Sequence, residues 1–327
     1  LPWKGLSLAA AVALILLSGL EALALGPFTH LVFAQRVWQR AAPAAGLAAE
    51  EPLLPALYAG ALAPDAGYYP GAEPMVSEAA HLVEPWELVR ELEGRAGTAR
   101  ERAFALGWLT HALLDLRGHQ RLVNPLAGGA YQDDRLLHKQ VEWGLDCWLL
   151  SQPRHAWLWE PPITARAGVG LWARTLEAVY GKRLPAETLV RAQAAQLKEV
   201  RRLPWVWWLS GRLHWPGRPA ANALGWAVGH TLRPAYVAWL EWQGGSLDVR
   251  AVLTPRPART EDTARLLELL AAAEAELMAV LEQGAWPHGS LDADPDCRPG
   301  DCPQAGEVRA WLSAPGSQGQ GPAKMKD

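Results

Sequence analysis

Two histidine and acid pairs four residues apart, His111 with Asp115 and His138 with Glu142, mark the part of this chain able to do chemistry. Residues at that spacing share one face of a helix, so each pair can aim an imidazole nitrogen and a carboxylate oxygen at one point. That is what a divalent ion such as zinc requires. His119 stands between the pairs, and His30, Asp65 and His81 lie upstream, so five of the nine histidines fall in the first half of the chain beside acidic residues. The chemistry such a set suggests is hydrolysis at a metal centre.

Taken singly these elements say little, since a His-x-x-x-Asp pair is usually a surface ion pair and an aspartate after a proline is usually a helix cap. Their order is more specific. Asp65 ends Gly60-Ala-Leu-Ala-Pro-Asp65 before the loop Ala66 to Gly71, and His81 follows. His111 and Asp115 lie in Gly107-Trp-Leu-Thr-His111-Ala-Leu-Leu-Asp115-Leu-Arg-Gly-His119, and His138 and Glu142 in His138-Lys-Gln-Val-Glu142-Trp-Gly-Leu-Asp146. This run resembles the zinc-dependent phospholipase C and S1/P1 nuclease superfamily over residues 25 to about 150; the later helices match only in being helical.

The resemblance implies an all-α fold and two or three zinc ions. It places Asp65, His81, His111 and Asp115 around one zinc and His119, His138 and Glu142 around a second. A third would take the nitrogen and carbonyl of an amino-terminal Leu25, His30, and Asp115 as a bridge. Two departures stand out. The family's amino-terminal tryptophan is replaced by Leu25-Gly-Pro-Phe-Thr-His30, and His119 follows Asp115 more closely than in the secreted phospholipases. His155, His214, His230 and His288 match no family ligand and read as structural or solvent-facing.

The function expected is phosphodiester hydrolysis by a metal-bound hydroxide, with Asp65 as the better candidate base and Asp115 as the other catalytic carboxylate. A phospholipid gives one substrate class, the products being diacylglycerol and a phosphorylated head group. A single-stranded nucleic acid or a nucleotide is the alternative, and a non-catalytic metal-binding helical protein is the third reading. A di-iron bundle would show Glu-x-x-His at three-residue spacing instead, and there is no His-Asp dipeptide of an HD-type phosphohydrolase.

The elements that must position these residues are helices. Apolar residues recur at helical spacing over residues 31–39, 86–92, 103–116, 134–150, 165–180, 186–202, 221–242 and 261–282. Alternating strand patterns are absent. Breaks rich in Pro and Gly are expected at 52–74, 124–129, 161–162, 215–217 and 244–245. Residues 25–290 therefore read as one compact helical domain, and 291–327, rich in Pro, Gly, Ser and Gln, as a structureless tail. Its Asp292 to Asp301 stretch lacks the pattern of an EF-hand loop.

The 327 residues suffice for a full core and a shielded site. A net charge of −3 predicts no global attraction to nucleic acid or anionic membrane. The attraction must be local: Arg166 to Arg233 holds eleven Lys or Arg against three Glu. Within it, Arg201 to Trp215 interleaves four of the eighteen tryptophans with three arginines. That stretch can lie at a lipid headgroup layer, stack nucleobases, or simply bury its tryptophans while its arginines meet water.

Residues 1–24 read as a secretory signal, with Lys4, an apolar run from Leu6 to Leu20, and Glu21-Ala22-Leu23-Ala24 as the cleavage site. The expected location is secreted or periplasmic, or membrane-anchored if the segment stays uncut. Cys297 and Cys302 can close a small loop after export, while Cys147 reads as a buried thiol. No obligate protein partner is called for.

Overall fold

The computed structural model describes residues 25–69, 71–244, 247–287 and 303–314. Among them the chain is all-α with no strand, as the periodicity predicts. The helices of the matching region are α1 (Pro27–Ala44), α2 (Leu54–Leu62), α3 (Pro74–Leu82), α4 (Pro85–Arg95), α5 (Ala99–Gly118), α6 (Asn124–Ala127), α7 (Arg135–Ser151), α8 (Val169–Tyr180) and α9 (Ala186–Leu209). They are followed by α10 (Pro219–Gln243), α11 (Leu247–Leu253), α12 (Thr260–Gln283) and α13 (Pro303–Ser313).

The centre of the packing is α2 against α5. α2 is apolar on every side and buried from Ala56 to Leu62, so it can exist only inside the domain. It approaches α5 through two glycines. A Cβ on Gly60 would lie 1.9 Å from the Phe104 carbonyl oxygen, and one on Gly107 would lie 2.0 Å from that of Leu57. Helix α1 packs across both, and α12 closes over α1 and α5.

The two helices that carry the histidine and acid pairs begin at firm caps. Thr98 Oγ1 accepts from the Glu101 amide at 3.1 Å while Glu101 Oε2 accepts from the Thr98 amide at 3.2 Å, a reciprocal capping box for α5. Asp134 accepts from the Leu137 amide at 2.9 Å at the start of α7. α5 does not simply end after Gly118: it widens into a π-turn over His119–Val123, a distortion that often marks functional sites.

Two expectations are corrected. The break expected at 52–74 contains α2 and a 3-10 turn, Ala63–Tyr68. Pro52, Pro55, Pro64 and Pro74 read as breakers, yet each sits in a first turn, where a missing N–H removes no helix bond. The tail expected to lack structure contains α13, whose Ala305 and Val308 are buried against α3 beside Ala79, Leu82 and Val83. Lys182 Nζ donates to the Trp311 carbonyl at 2.8 Å. This short apolar stripe is too brief to show a period but large enough to dock. The predicted signal segment, the Asp292–Asp301 stretch, His288 and the Cys297/Cys302 pair lie outside the described residues, whereas Cys147 is buried as a free thiol.

Gly107→Ala places a methyl against backbone that cannot move aside. The substitution is expected to destabilise the fold by about 1–3 kcal/mol, the usual cost of overpacking. Chemical denaturation checks it, and a midpoint equal to that of the unaltered protein would show that α2 and α5 do not depend on this approach.

Candidate metal centre

The close approach of α2 and α5 has a direct chemical result. It brings the Ala61 carbonyl, near the end of α2 where intrahelical donors run out, to 2.9 Å from His111 Nδ1. On α3, His81 Nδ1 lies 2.8 Å from the Ser77 carbonyl. A carbonyl can only accept, so in each ring Nδ1 carries the hydrogen and, in the neutral imidazole, Nε2 presents a lone pair. Burial, then the neighbouring His30, drives the His111 pKa well below the usual histidine range, so that ring is neutral.

The two Nε2 atoms nevertheless face each other at 3.3 Å. Asp65 Oδ1 stands 3.4 Å from His81 Nε2 and 3.7 Å from His111 Nε2. Two acceptor nitrogens and a carboxylate oxygen converge on one point with no hydrogen to place between the rings. A divalent cation at that point would satisfy both neutral rings and the carboxylate at once.

The 3-10 turn that carries Asp65 is held from two sides. Gly67 N donates to Ser77 Oγ at 2.8 Å, and Gln196 Nε2 of α9 donates to the Leu62 carbonyl at 2.7 Å. Burial pushes the Asp65 carboxyl up to about 6.

A second group forms where the π-turn begins. His138 Nε2 lies 3.1 Å from Glu142 Oε1, and His119 Nε2 lies 3.8 Å from the same oxygen. The Tyr131 ring stands edge-on to His138, its centroid 5.4 Å away. Asp115 lies between the groups. Its Oδ1 is 3.2 Å from His119 Nε2 and 3.8 Å from His30 Nε2, and its Oδ2 is 3.7 Å from His81 Nε2. Burial would raise the Asp115 carboxyl, but His119, His111 and His81 outweigh it and hold the pKa well below the usual carboxylate range.

The third group centres on His30, which stacks on His111 with ring centroids 4.0 Å apart. Burial lowers its pKa to about 4. Leu25 is buried beside it, and its nitrogen donates to Asp115 Oδ1 at 3.3 Å. Three sets thus have ligand atoms mutually within 4.8 Å: His30, His111 and Asp115; Asp65, His81 and His111; and His119, His138 and Glu142. All the candidate residues are at most 3% exposed. His30 Nε2, Asp115 Oδ2 and Glu142 Oε2 are buried yet make no hydrogen bond. Donor types and orphaned acceptors fit zinc, with its preference for imidazole and carboxylate.

The eight side chains named as candidate ligands from the sequence are therefore all in these sets, and Leu25 adjoins them through its nitrogen. Of the other described histidines, His214 and His230 are exposed, and His155 is paired with Arg154. Sequence reasoning passed over Asp146. One turn beyond Glu142 on α7, it accepts from Thr29 Oγ1 at 2.7 Å, Thr29 N at 2.9 Å and Phe28 N at 3.1 Å. It ties the start of α1, and with it Leu25 and His30, to the helix bearing His138 and Glu142. Its signal was its place on the same helical stripe; its partners, over a hundred residues away, left none.

The chain matches the family model described as zinc dependent phospholipase C over residues 29–198, more than half its length, and belongs to that family. No curated protein and no solved structure gives a match. The matched span contains His30, Asp65, His81, His111, Asp115, His119, His138 and Glu142, together with the supporting Ser77, Asp146 and Gln196.

Asp146→Ala leaves two buried amides and a hydroxyl without their acceptor. A loss of about 2–4 kcal/mol is expected, with part of it recovered by Asp146→Asn, which keeps one accepting oxygen. Urea denaturation of both variants measures this, and equal stability of Asp146→Ala and the unaltered chain would contradict the clamp.

Proposed function

We propose that the chain is a phosphodiesterase that cleaves phospholipids on the glycerol side of the phosphodiester, giving diacylglycerol and a phosphorylated head group. The observation that carries this reading is the facing pair of His81 and His111 nitrogens beside Asp65, a donor set suited to a cation, in a chain of the zinc dependent phospholipase C family. Bound zinc would supply Lewis acidity, lowering the pKa of water and offsetting charge on the phosphate and the leaving alkoxide.

In this reading Asp65, His81, His111 and Asp115 would hold one ion and His119, His138 and Glu142 a second. Leu25, His30 and Asp115 would hold a third. The buried carbonyls of Ser77 and Ala61 fix two rings in the tautomer that presents Nε2 to the metal. The Asp65 carboxylate takes the proton of the attacking water, and Asp115, in reach of His81, His119 and His30, couples the three groups. We assign residues 1–24 as a secretory signal cut after Ala24, so that Leu25 leads an exported chain. The burial of Leu25 against Asp115 supports this, and mass spectrometry of the exported protein tests it.

The second reading, a single-strand nuclease, draws on the aromatic group beside the end of α9, where Trp159 and Trp215 stack 4.9 Å apart and Arg218 lies 4.3 Å over Trp215. Parallel assays on phosphatidylcholine vesicles and single-stranded DNA separate the two. Lipid hydrolysis that a chelator abolishes and zinc restores is expected, and cleavage confined to DNA would reverse the order.

His111→Ala and Asp115→Ala are each expected to lower zinc content and to reduce turnover by at least about a hundredfold, well beyond a typical loss of a supporting partner. His214→Ala, at an exposed position, is expected to retain both. Normal turnover in Asp115→Ala would contradict its bridging role.

A further inference from the structure

The exposed apolar surface of this protein is concentrated. Among the described residues, the large apolar side chains that stand into solvent are Leu224, Trp226, Leu232, Trp239 and Trp242 on α10, Trp205 on the adjoining α9, and Leu267. Trp242 is 79% exposed and Trp226 is 54%. From Pro219 to Gln243 the only formally charged residues are Arg233 and Glu241. A helix apolar nearly all round is ordinarily buried, yet along α10 only Gly225, Gly229 and Leu240 are. At 3.6 residues per turn Leu224, Trp239 and Trp242 fall on one side of α10 and Trp226 on its other flank, and apolar surface gathered on one helix in this way marks a binding surface.

The charge around the patch says what covers it. Arg218 opens α10, and Arg212 stands close enough to Arg233 for the two to repel each other. Arg201 is exposed on α9 beside Trp205, along a cavity that the two share. The one acidic residue of α10, Glu241, is paired with Arg250 at 3.4 Å. A second copy docked on this face would bring arginine against arginine, whereas a layer of phosphates would be drawn to it. No described helix is long and apolar enough to cross a membrane. Tryptophan with arginine on such a helix suits the boundary between head groups and acyl chains.

We propose that α10 is the element that lays this protein on a phospholipid bilayer, with Trp226, Trp239 and Trp242 in the interface and Arg212, Arg218 and Arg233 on lipid phosphates. The proposal rests on the phospholipase reading for its choice of surface, and it assigns that surface to a helix beyond the family-matched span.

The test uses the zinc-loaded protein and vesicles of phosphatidylcholine with phosphatidylglycerol. Binding is read by co-sedimentation and by quenching of tryptophan fluorescence with brominated acyl chains. Replacing Trp226, Trp239 and Trp242 together by Ser is expected to weaken binding by at least about tenfold, the three rings being the interfacial anchors. Leu267→Ser is expected to bind as the unaltered protein does. Leu224→Glu, a single charge on the same face, gives a second variant should the triple one fail to fold by circular dichroism. Hydrolysis of a short-chain phospholipid dissolved below its micelle concentration is expected to be unchanged in both, while hydrolysis of vesicles falls with binding.

Vesicle binding by both α10 variants equal to the unaltered protein's would overturn the proposal, as would absence of binding by the unaltered protein. A dimer in sedimentation equilibrium that the same substitutions dissociate would assign the face to a second copy instead. Vesicle binding that depends on α10, with no cleavage of either lipid, would leave the docking surface standing and remove the phospholipase reading.

Discussion

Acceptor atoms buried against acceptor atoms are the constraint on which this structure turns. His81 and His111 each give their only ring hydrogen to a backbone carbonyl, and their remaining nitrogens then meet at 3.3 Å beside a carboxylate. Burying polar groups without partners costs about 1–3 kcal/mol each, more for charged ones. Cations at the centre of such a gathering would offset that cost. The helices are arranged around that requirement. Glycines let α2 reach α5, α3 and α9 hold the turn bearing Asp65, and Asp146 draws the start of α1 to α7.

Rigidity and chemistry are thereby linked. A ligand carboxylate must be ionised and a ligand imidazole neutral at the same pH. Burial lowers the His30 and His111 pKa values, and the surrounding histidines keep Asp115 low against the opposing pull of burial. His30, His111 and Asp115 are therefore prepared for metal without first having to lose protons, whereas burial holds the Asp65 carboxyl up at about 6. The same enclosure keeps the ligand cluster from solvent, and the exposed tryptophans of α9 and α10 lie outside it.

The site was more legible in the sequence than the fold that builds it. His111 with Asp115, and His138 with Glu142, are local signals, because helical spacing alone puts each pair on one face. Leu25, His30, Asp65 and His81 were placed by their order, through the family resemblance. What could not be read was tertiary. Helix α2 has no amphipathic period because it is buried on all sides, and Pro55 at its start imitates a loop. The π-turn at His119 packs against α12, and the partners of Asp146 and Gln196 are more than a hundred residues away in the chain. The tryptophan and arginine stretch left three readings open, and the structure divides it. Trp207 is buried and bonded to the Val252 carbonyl at 2.9 Å, while Trp205 stands exposed.

The most direct test of this account is anomalous diffraction from crystals of the purified protein, recorded on either side of the zinc absorption edge. The account predicts peaks among Asp65, His81 and His111 and among His119, His138 and Glu142, with a further peak beside His30 if the third group is occupied. Crystals grown with zinc that show these side chains in place around no anomalous peak would contradict it.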